Sequence, residues 1–231
     1  MGGDGLVTPV DHVTSIFATL EQLAMTTETI LYDAPPASAA DRTADKHEIR
    51  VWDPLVRIFH WSLALAFATA FIVEDNLLEV HVWAGYTALA LIAVRLAWGI
   101  VGTRHARFTD FVRGPRQVLA YLRDAVRFAA PRYLGHNPAG GAMVVVLLVL
   151  VGLTGLTGMA VYGAQELSGP LAPLMTGASP GVGEAMEDAH ELLANLTLLF
   201  VAAHLAGVLF SSLAHRENLI RAMITGRKQQ D

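Results

Sequence analysis

Four of the nine histidines in this 231-residue chain fall within or at the edge of long apolar stretches: His60, His81, His190 and His204. An ionisable side chain at membrane depth is costly and is a functional candidate by default. A lone histidine there has an equally good plain reading, a hydrogen bond to a neighbouring helix. Four in one consistent geometry shift the balance.

His190 and His204 lie 14 residues apart. On a helix turning ~100° per residue they come within ~40° of the same face, ~21 Å apart along the axis. The chain holds no cysteine. That excludes thiolate-held iron–sulfur clusters, covalent c-type haem attachment and disulfides. Any metal or redox centre must use other ligands.

The elements that position these residues are four apolar spans, roughly 55–73, 80–101, 142–162 and 189–213. Each suffices for the ~20 residues that cross a hydrocarbon layer as a helix. The composition agrees, with 53% hydrophobic and 16% charged residues, the charge being low for a soluble domain. The expected fold is all-α, an integral membrane four-helix bundle of residues 49–228.

Residues 1–48 differ. Pro35–Asp45 reads PPASAADRTAD, a disordered composition. Ser15–Ala24 carries a short helical pattern, and Met25 offers an alternative start that would leave residues 1–24 outside the protein. No charged segment leads into an apolar one, so no signal peptide is expected.

Charge sets the orientation. The connection between spans one and two carries Glu74, Asp75 and Glu79; that between spans three and four carries Glu166, Glu184, Glu187 and Asp188; neither has Lys or Arg. The middle connection holds Arg104, Arg107, Arg113, Arg116, Arg123, Arg127 and Arg132, and the flanks add Arg42, Lys46, Arg50, Arg57, Arg216, Arg221, Arg227 and Lys228. Positive residues stay inside, so both termini and the middle loop of this multi-pass chain are expected in the cytoplasm. Trp52, Trp61, Trp83 and Trp98 sit near span ends, as an interfacial belt would have them. Asn137 is placed to cap span three and Pro138 to occupy its first position. In Pro115–Ala129, Val118, Leu119, Leu122, Val126 and Ala129 share one face, with Arg116, Arg123 and Arg127 off it. A basic amphipathic helix on the inner leaflet fits, as does a solvated surface helix.

With this topology the histidine depths pair. His60 starts span one on the inside and His204 lies deep in span four; His81 and His190 both lie at the outer side. Two stacked bis-histidine sites result, and span three contributes none. Filled axial positions suit the iron of an electron-transfer haem. Zinc wants three or four converging ligands, which two pairs ~21 Å apart do not give, although Glu79 and Glu191 near the outer pair keep zinc open there. Ala64, Gly85, Ala194 and Gly207 lie one turn from the four histidines and leave room, as they would in ordinary close packing. Gly152, Gly155 and Gly158 read as helix packing. Arg95, the one cation well inside a span, lies 14 residues after His81. It suits a propionate of an inner haem, or it snorkels to the inner interface. Arg57, Arg95, Arg104 and His105 surround a cytoplasmic position where a quinone oxygen could be bound or protonated. The histidines outside the spans, His136 and His215 among them, receive no ligand role.

The runs RIFHWSLA, HVWAGY, RLAWGIVGTRHARF and YLGHNPAGG, with the H-x13-H of span four, resemble the bacterial cytochrome b561 family, in particular the branch with the b-type cytochrome subunits of nickel–iron hydrogenases. The resemblance spans about 49–228 and implies a multi-pass protein of the bacterial inner membrane. It implies two haem b groups ligated by His60, His204, His81 and His190. It also implies electron transfer between the membrane quinone pool and a periplasmic redox protein, a cytochrome c or a hydrogenase, in a respiratory chain. Quinone is then substrate or bound cofactor, and membrane lipid the surroundings; no nucleic-acid partner is expected. A self-contained superoxide:quinone oxidoreductase is an alternative, lowered by the lack of Lys and Arg in the outer loops. A non-redox membrane anchor is another.

Overall fold

The computed structural model describes residues 48–73 and 77–229. Of the expected extension at 1–48, residues 1–47 with the Ser15–Ala24 pattern lie outside the described residues, as do Glu74 and Asp75; Glu48 is in a strand.

Strand β1 (Glu48–Arg50) leads into helices α1 (Pro54–Ile72) and α2 (Leu78–Val101). A 3-10 turn (Arg104–Ala106) and short α3 (Phe108–Phe111) precede α4 (Pro115–Val126). Then come α5 (Pro138–Gln165), short α6 (Ala172–Met175), α7 (Pro180–Ala214), α8 (Leu219–Thr225) and strand β2 (Arg227–Gln229). Four of the helices, α1, α2, α5 and α7, are long and apolar enough to cross a membrane. The protein is an all-α membrane bundle, as its hydropathy predicts.

Local chemistry explains where the spans begin. The Asp53 carboxylate accepts the Val56 N–H at 2.9 Å, and Pro54 opens α1. The Asn137 side chain accepts the Gly140 N–H at 2.7 Å ahead of Pro138. Each cap satisfies one amide that the helix start leaves without a partner.

Helix α5 packs against both α7 and α2, and α1 packs against α2. Thr154 of α5 and the fully buried Thr197 of α7 share a hydrogen bond at 3.2 Å. Outward-facing Leu192, Leu199, Leu205 and Leu209 of α7 suit a lipid surround. Neither α1 nor α2 packs closely against α7.

Strands β1 and β2 pair antiparallel, with Ile49 opposite Lys228. This clasp puts both ends of the described chain on one side of the bundle. The α2–α5 connection joins them there: Arg132 donates to Glu217 at 3.1 Å and to the Gln229 carbonyl at 2.6 Å, and Lys228 donates to the Tyr133 carbonyl at 3.1 Å. Gly226 caps α8 at φ +80°, and a Cβ there would lie 2.6 Å from the Trp52 carbonyl oxygen.

Three expectations need correction. Helix α7 starts at Pro180, so Glu184, Glu187 and Asp188 ride on its first turns and the connection shrinks to 166–179. Hydropathy marks where polarity changes, whereas helices end at caps. Gln165 donates to Glu187 at 2.7 Å and holds these turns to the end of α5. Trp52 is buried against Val51, Val56 and Ala106, and Trp98 donates to Asp53 at 3.1 Å, so only Trp61 and Trp83 face outward. In α4, Val118 turns with Tyr121 toward the protein, while Leu119, Leu122 and Val126 stay exposed.

Candidate functional site

The two histidine pairs come together across the side of the bundle where α7 stands off α1 and α2. His60 of α1 and His204 of α7 have ring centres 6.4 Å apart, with planes at 53°. His81 of α2 and His190 of α7 have ring centres 6.0 Å apart, with planes at 81°. A metal held between two imidazoles at ~2.0–2.1 Å from each nitrogen places the ring centres about 6.3 Å apart. Both pairs therefore have the separation that a metal bridged by two imidazoles requires. Among the described residues no three His, Asp or Glu converge as a zinc site needs.

The His81–His190 pair, expected at the outer side, is held by hydrogen bonds. His81 Nδ1 lies 2.9 Å from the Ala70 carbonyl oxygen of α1, and His190 Nδ1 lies 2.9 Å from the Thr154 carbonyl oxygen of α5. A carbonyl only accepts, so Nδ1 carries the proton in both rings and Nε2 keeps its lone pair. Histidines that ligate metals are commonly oriented this way. Gly158 lets His190 lie against α5: a Cβ there would sit 2.9 Å from His190 Cε1. Of the three glycines read as packing, Gly155 does pack, against Leu89; Gly158 serves the histidine; Gly152 has nothing within 4 Å of a Cβ. A Cβ at Gly85 or Gly207 would also meet nothing within 4 Å, so there is open space one turn from His81 and His204.

The clasped end is built differently. Arg95 is only 2% exposed, so it does not snorkel to water. Its Nη2 donates to the Ala106 carbonyl at 3.0 Å and its guanidinium lies over Phe108, 4.9 Å from the ring centre. Its Nη1 is buried without a hydrogen-bond partner, as are Arg57 Nε and His60 Nδ1. Buried donors of this kind want an acceptor, and for two guanidinium groups the natural acceptor is an anion.

Sequence reasoning gave His136 no role. It remains outside the ligand pairs, yet its ring is wedged between Trp52 and Phe111, at 4.7 and 4.5 Å between centres. Burial, with the positive charge of Arg95 and Lys228 nearby and a smaller effect of His204, pushes its pKa down to about 3 against the pull of Asp110. It is therefore neutral near neutral pH, within reach of the charge on Arg95. The GHNP run singles it out, but its partners are distant in sequence. His105, expected at a quinone position, pairs with Asp110 at 3.1 Å, and Arg104 extends into water beside the same carboxylate at 3.6 Å. Asp53 ties the starts and ends of spans together: besides capping α1 it accepts from Thr103 at 2.5 Å and Trp98 at 3.1 Å. Burial alone would raise its pKa; these hydrogen bonds, with those from Val56 and Leu55, outweigh it and hold the carboxyl below the ordinary aspartate value.

No curated protein and no solved structure matches the chain. The family profile described as prokaryotic cytochrome b561 matches residues 51–226. That range takes in both histidine pairs, Arg57, Arg95 and the cap residues. The chain belongs to the prokaryotic cytochrome b561 family, whose members are b-type cytochromes that transfer electrons in membranes.

Proposed function

We propose that this cytochrome carries two b haems, one between His60 and His204 and one between His81 and His190, and moves electrons between a periplasmic redox protein and the membrane quinone pool. The observation that carries the reading is the pair of ring-centre separations, 6.4 and 6.0 Å, at two depths of one bundle. When bound, haem b supplies one-electron redox chemistry at an iron with no open position for substrate.

The chain's own residues fix and tune these sites. The carbonyls of Ala70 and Thr154 hold the outer rings in one tautomer. Arg95 and Arg57 offer buried donors to the carboxylates of the inner group and raise its affinity for an electron by positive charge. The ~21 Å between His190 and His204 along α7 spreads the two stations across most of a ~30 Å hydrocarbon layer. The positive bias of the clasped end supports placing it in the cytoplasm of a bacterial inner membrane. Arg57 and Arg95 also support a quinone site there. His105 contributes less, because Asp110 already engages it.

A pyridine haemochrome assay on the purified full-length protein, with the chain quantified independently, should give two haem b per chain. Reduction of that haem by an added quinol under anaerobic conditions should follow. One haem or none in fully assembled protein overturns the two-site reading. Two haems that no quinol reduces overturn the quinone reading alone.

A further inference from the structure

Helix α4 joins the end of α2 to the start of α5 on the clasped side, so its height is tied to the edge of the bilayer. Its faces are four. At ~100° per residue, Val118, Tyr121 and Ala125 form the side turned to the protein, with Tyr121 buried. A quarter-turn away lie Leu119, Leu122 and Val126, exposed at 66%, 45% and 79%. The next quarter-turn carries Arg116, Arg123 and Arg127, all exposed. The last carries the polar Gln117 and Asp124.

This order sets the roll of the helix. With the apolar face down in the acyl boundary, Gln117 and Asp124 point to water. The protein side faces the bundle. The arginine stripe then points sideways, away from the bundle, at the height of the lipid phosphates. A second observation fixes the depth. Phe128, just past α4 and in the left-handed region at φ +55°, places its ring 5.4 Å from that of Phe210. Phe210 lies on the outward face of α7, four residues before its end. The end of α4 is thus pinned at the depth where a membrane span finishes. Asp124 is the sole acidic residue of α4, and its carboxylate lies 3.4 Å from Arg123.

We infer that α4 is an in-plane membrane helix whose Arg116, Arg123 and Arg127 bind the phosphates of anionic phospholipids in the leaflet around the clasped end. An apolar face seated at the acyl boundary together with a basic stripe is the signature of such helices, and each arginine near an anionic surface adds attraction.

The absence of cysteine makes the test direct. Single variants Leu119→Cys, Leu122→Cys and Gln117→Cys of the full-length haem-loaded protein are spin-labelled in nanodiscs of phosphatidylcholine with phosphatidylglycerol. The labels at 119 and 122 should be relaxed by oxygen and shielded from a water-soluble nickel chelate, and the label at 117 the reverse. Spin-labelled phosphatidylglycerol should be held at the protein surface on the order of five-fold over labelled phosphatidylcholine. The triple variant Arg116→Gln/Arg123→Gln/Arg127→Gln should lose most of that preference with haem content unchanged. Nickel access at 119 and 122 equal to that at 117 would overturn the inference and point to a soluble partner on this face. A lipid preference unchanged in the triple variant would also overturn it.

Discussion

Gly158→Ala is the sharpest test of how the outer histidine pair is held. The added Cβ would lie 2.9 Å from His190 Cε1 and 3.2 Å from His190 Nδ1. Carbon contacts settle at ~3.5–4.0 Å, so the ring must yield by roughly 0.6 Å or more. The glycine lies within α5, seven residues before its end, and the helix is held by packing on two sides. The ring therefore moves, and with it the Nδ1 that donates to Thr154 at 2.9 Å. A shift of that size takes the bond to or past the ~3.2 Å end of the usual range. Losing it costs ~0.5–1.5 kcal/mol, and loss of a group that orients a metal-bound histidine typically costs 10–100-fold in metal affinity. The expected result is retention of the outer haem lowered about ten-fold through purification, with a moved low-spin EPR signal and the inner signal unchanged. Gly152→Ala is the control on the same helix, because a Cβ there meets nothing within 4 Å. That variant should be neutral, or more stable by up to ~1 kcal/mol from the glycine replaced in a helix. If Gly158→Ala keeps both signals and both midpoint potentials of the parent, the ring is not held where the geometry places it.

His204→Leu should remove the inner haem and leave most of the outer one, read as half the haemochrome with a single remaining EPR signal. Arg95→Leu removes a buried guanidinium and should lower the inner haem's midpoint potential by roughly 60 mV, the equivalent of ~1.4 kcal/mol for one electron; an unchanged potential and occupancy would end its role at that site. Asp53→Ala deletes the α1 cap and the bonds to Trp98 and Thr103, and should cost ~1–2 kcal/mol, seen as a lower melting temperature in detergent. Because the folded carboxyl is held below its ordinary value, the difference between parent and variant should be complete near neutral pH and shrink as the pH falls below ~4. Glu166, Glu184, Glu187 and Asp188 are all exposed at the outer end, so electron exchange with a basic periplasmic partner should slow as salt rises from ~10 to ~150 mM; a rate flat over that range rules out electrostatic docking there.

The spans, the capped starts at Asn137 and the two histidine pairings were all legible in the sequence. Hydropathy acts residue by residue and marks the spans. Fixed helical rise then converts the spacing of His190 and His204 into depth. What was not legible depends on residues far apart in the chain. Trp52 reads as an interface residue until Gly226 and Ala106 close over it. Asp53 reads as a simple cap until Trp98 and Thr103 reach it from the end of α2. Gly158 reads as packing until α7 brings His190 against it. Helix α7 itself extends nine residues beyond its apolar stretch, and Gln165 donates to Glu187 on those added turns.

These contacts make the two ends of the bundle physically unlike. At the outer end the histidines donate to backbone carbonyls of neighbouring helices, and no Lys or Arg sits on the described connections. Their ring orientation is fixed by geometry, and little positive charge is near. At the clasped end His60 Nδ1 has no hydrogen-bond partner, Arg57 and Arg95 carry buried donors, and Trp52, His136 and Phe111 form one ring cluster. Charge in a water-poor cap acts strongly, because the local dielectric is low. A redox group there is stabilised in its electron-rich state relative to one at the outer end. On the proposed reading, with a haem at each histidine pair, this asymmetry would favour electron flow toward the clasped end when both stations are otherwise alike. On the proposed orientation, that direction runs from the periplasmic partner toward the quinone site. The clasp of β1 on β2 continues into this ring cluster, because the backbone N–H groups of Val51 and Trp52 both donate to the Gly226 carbonyl, at 2.9 and 3.1 Å.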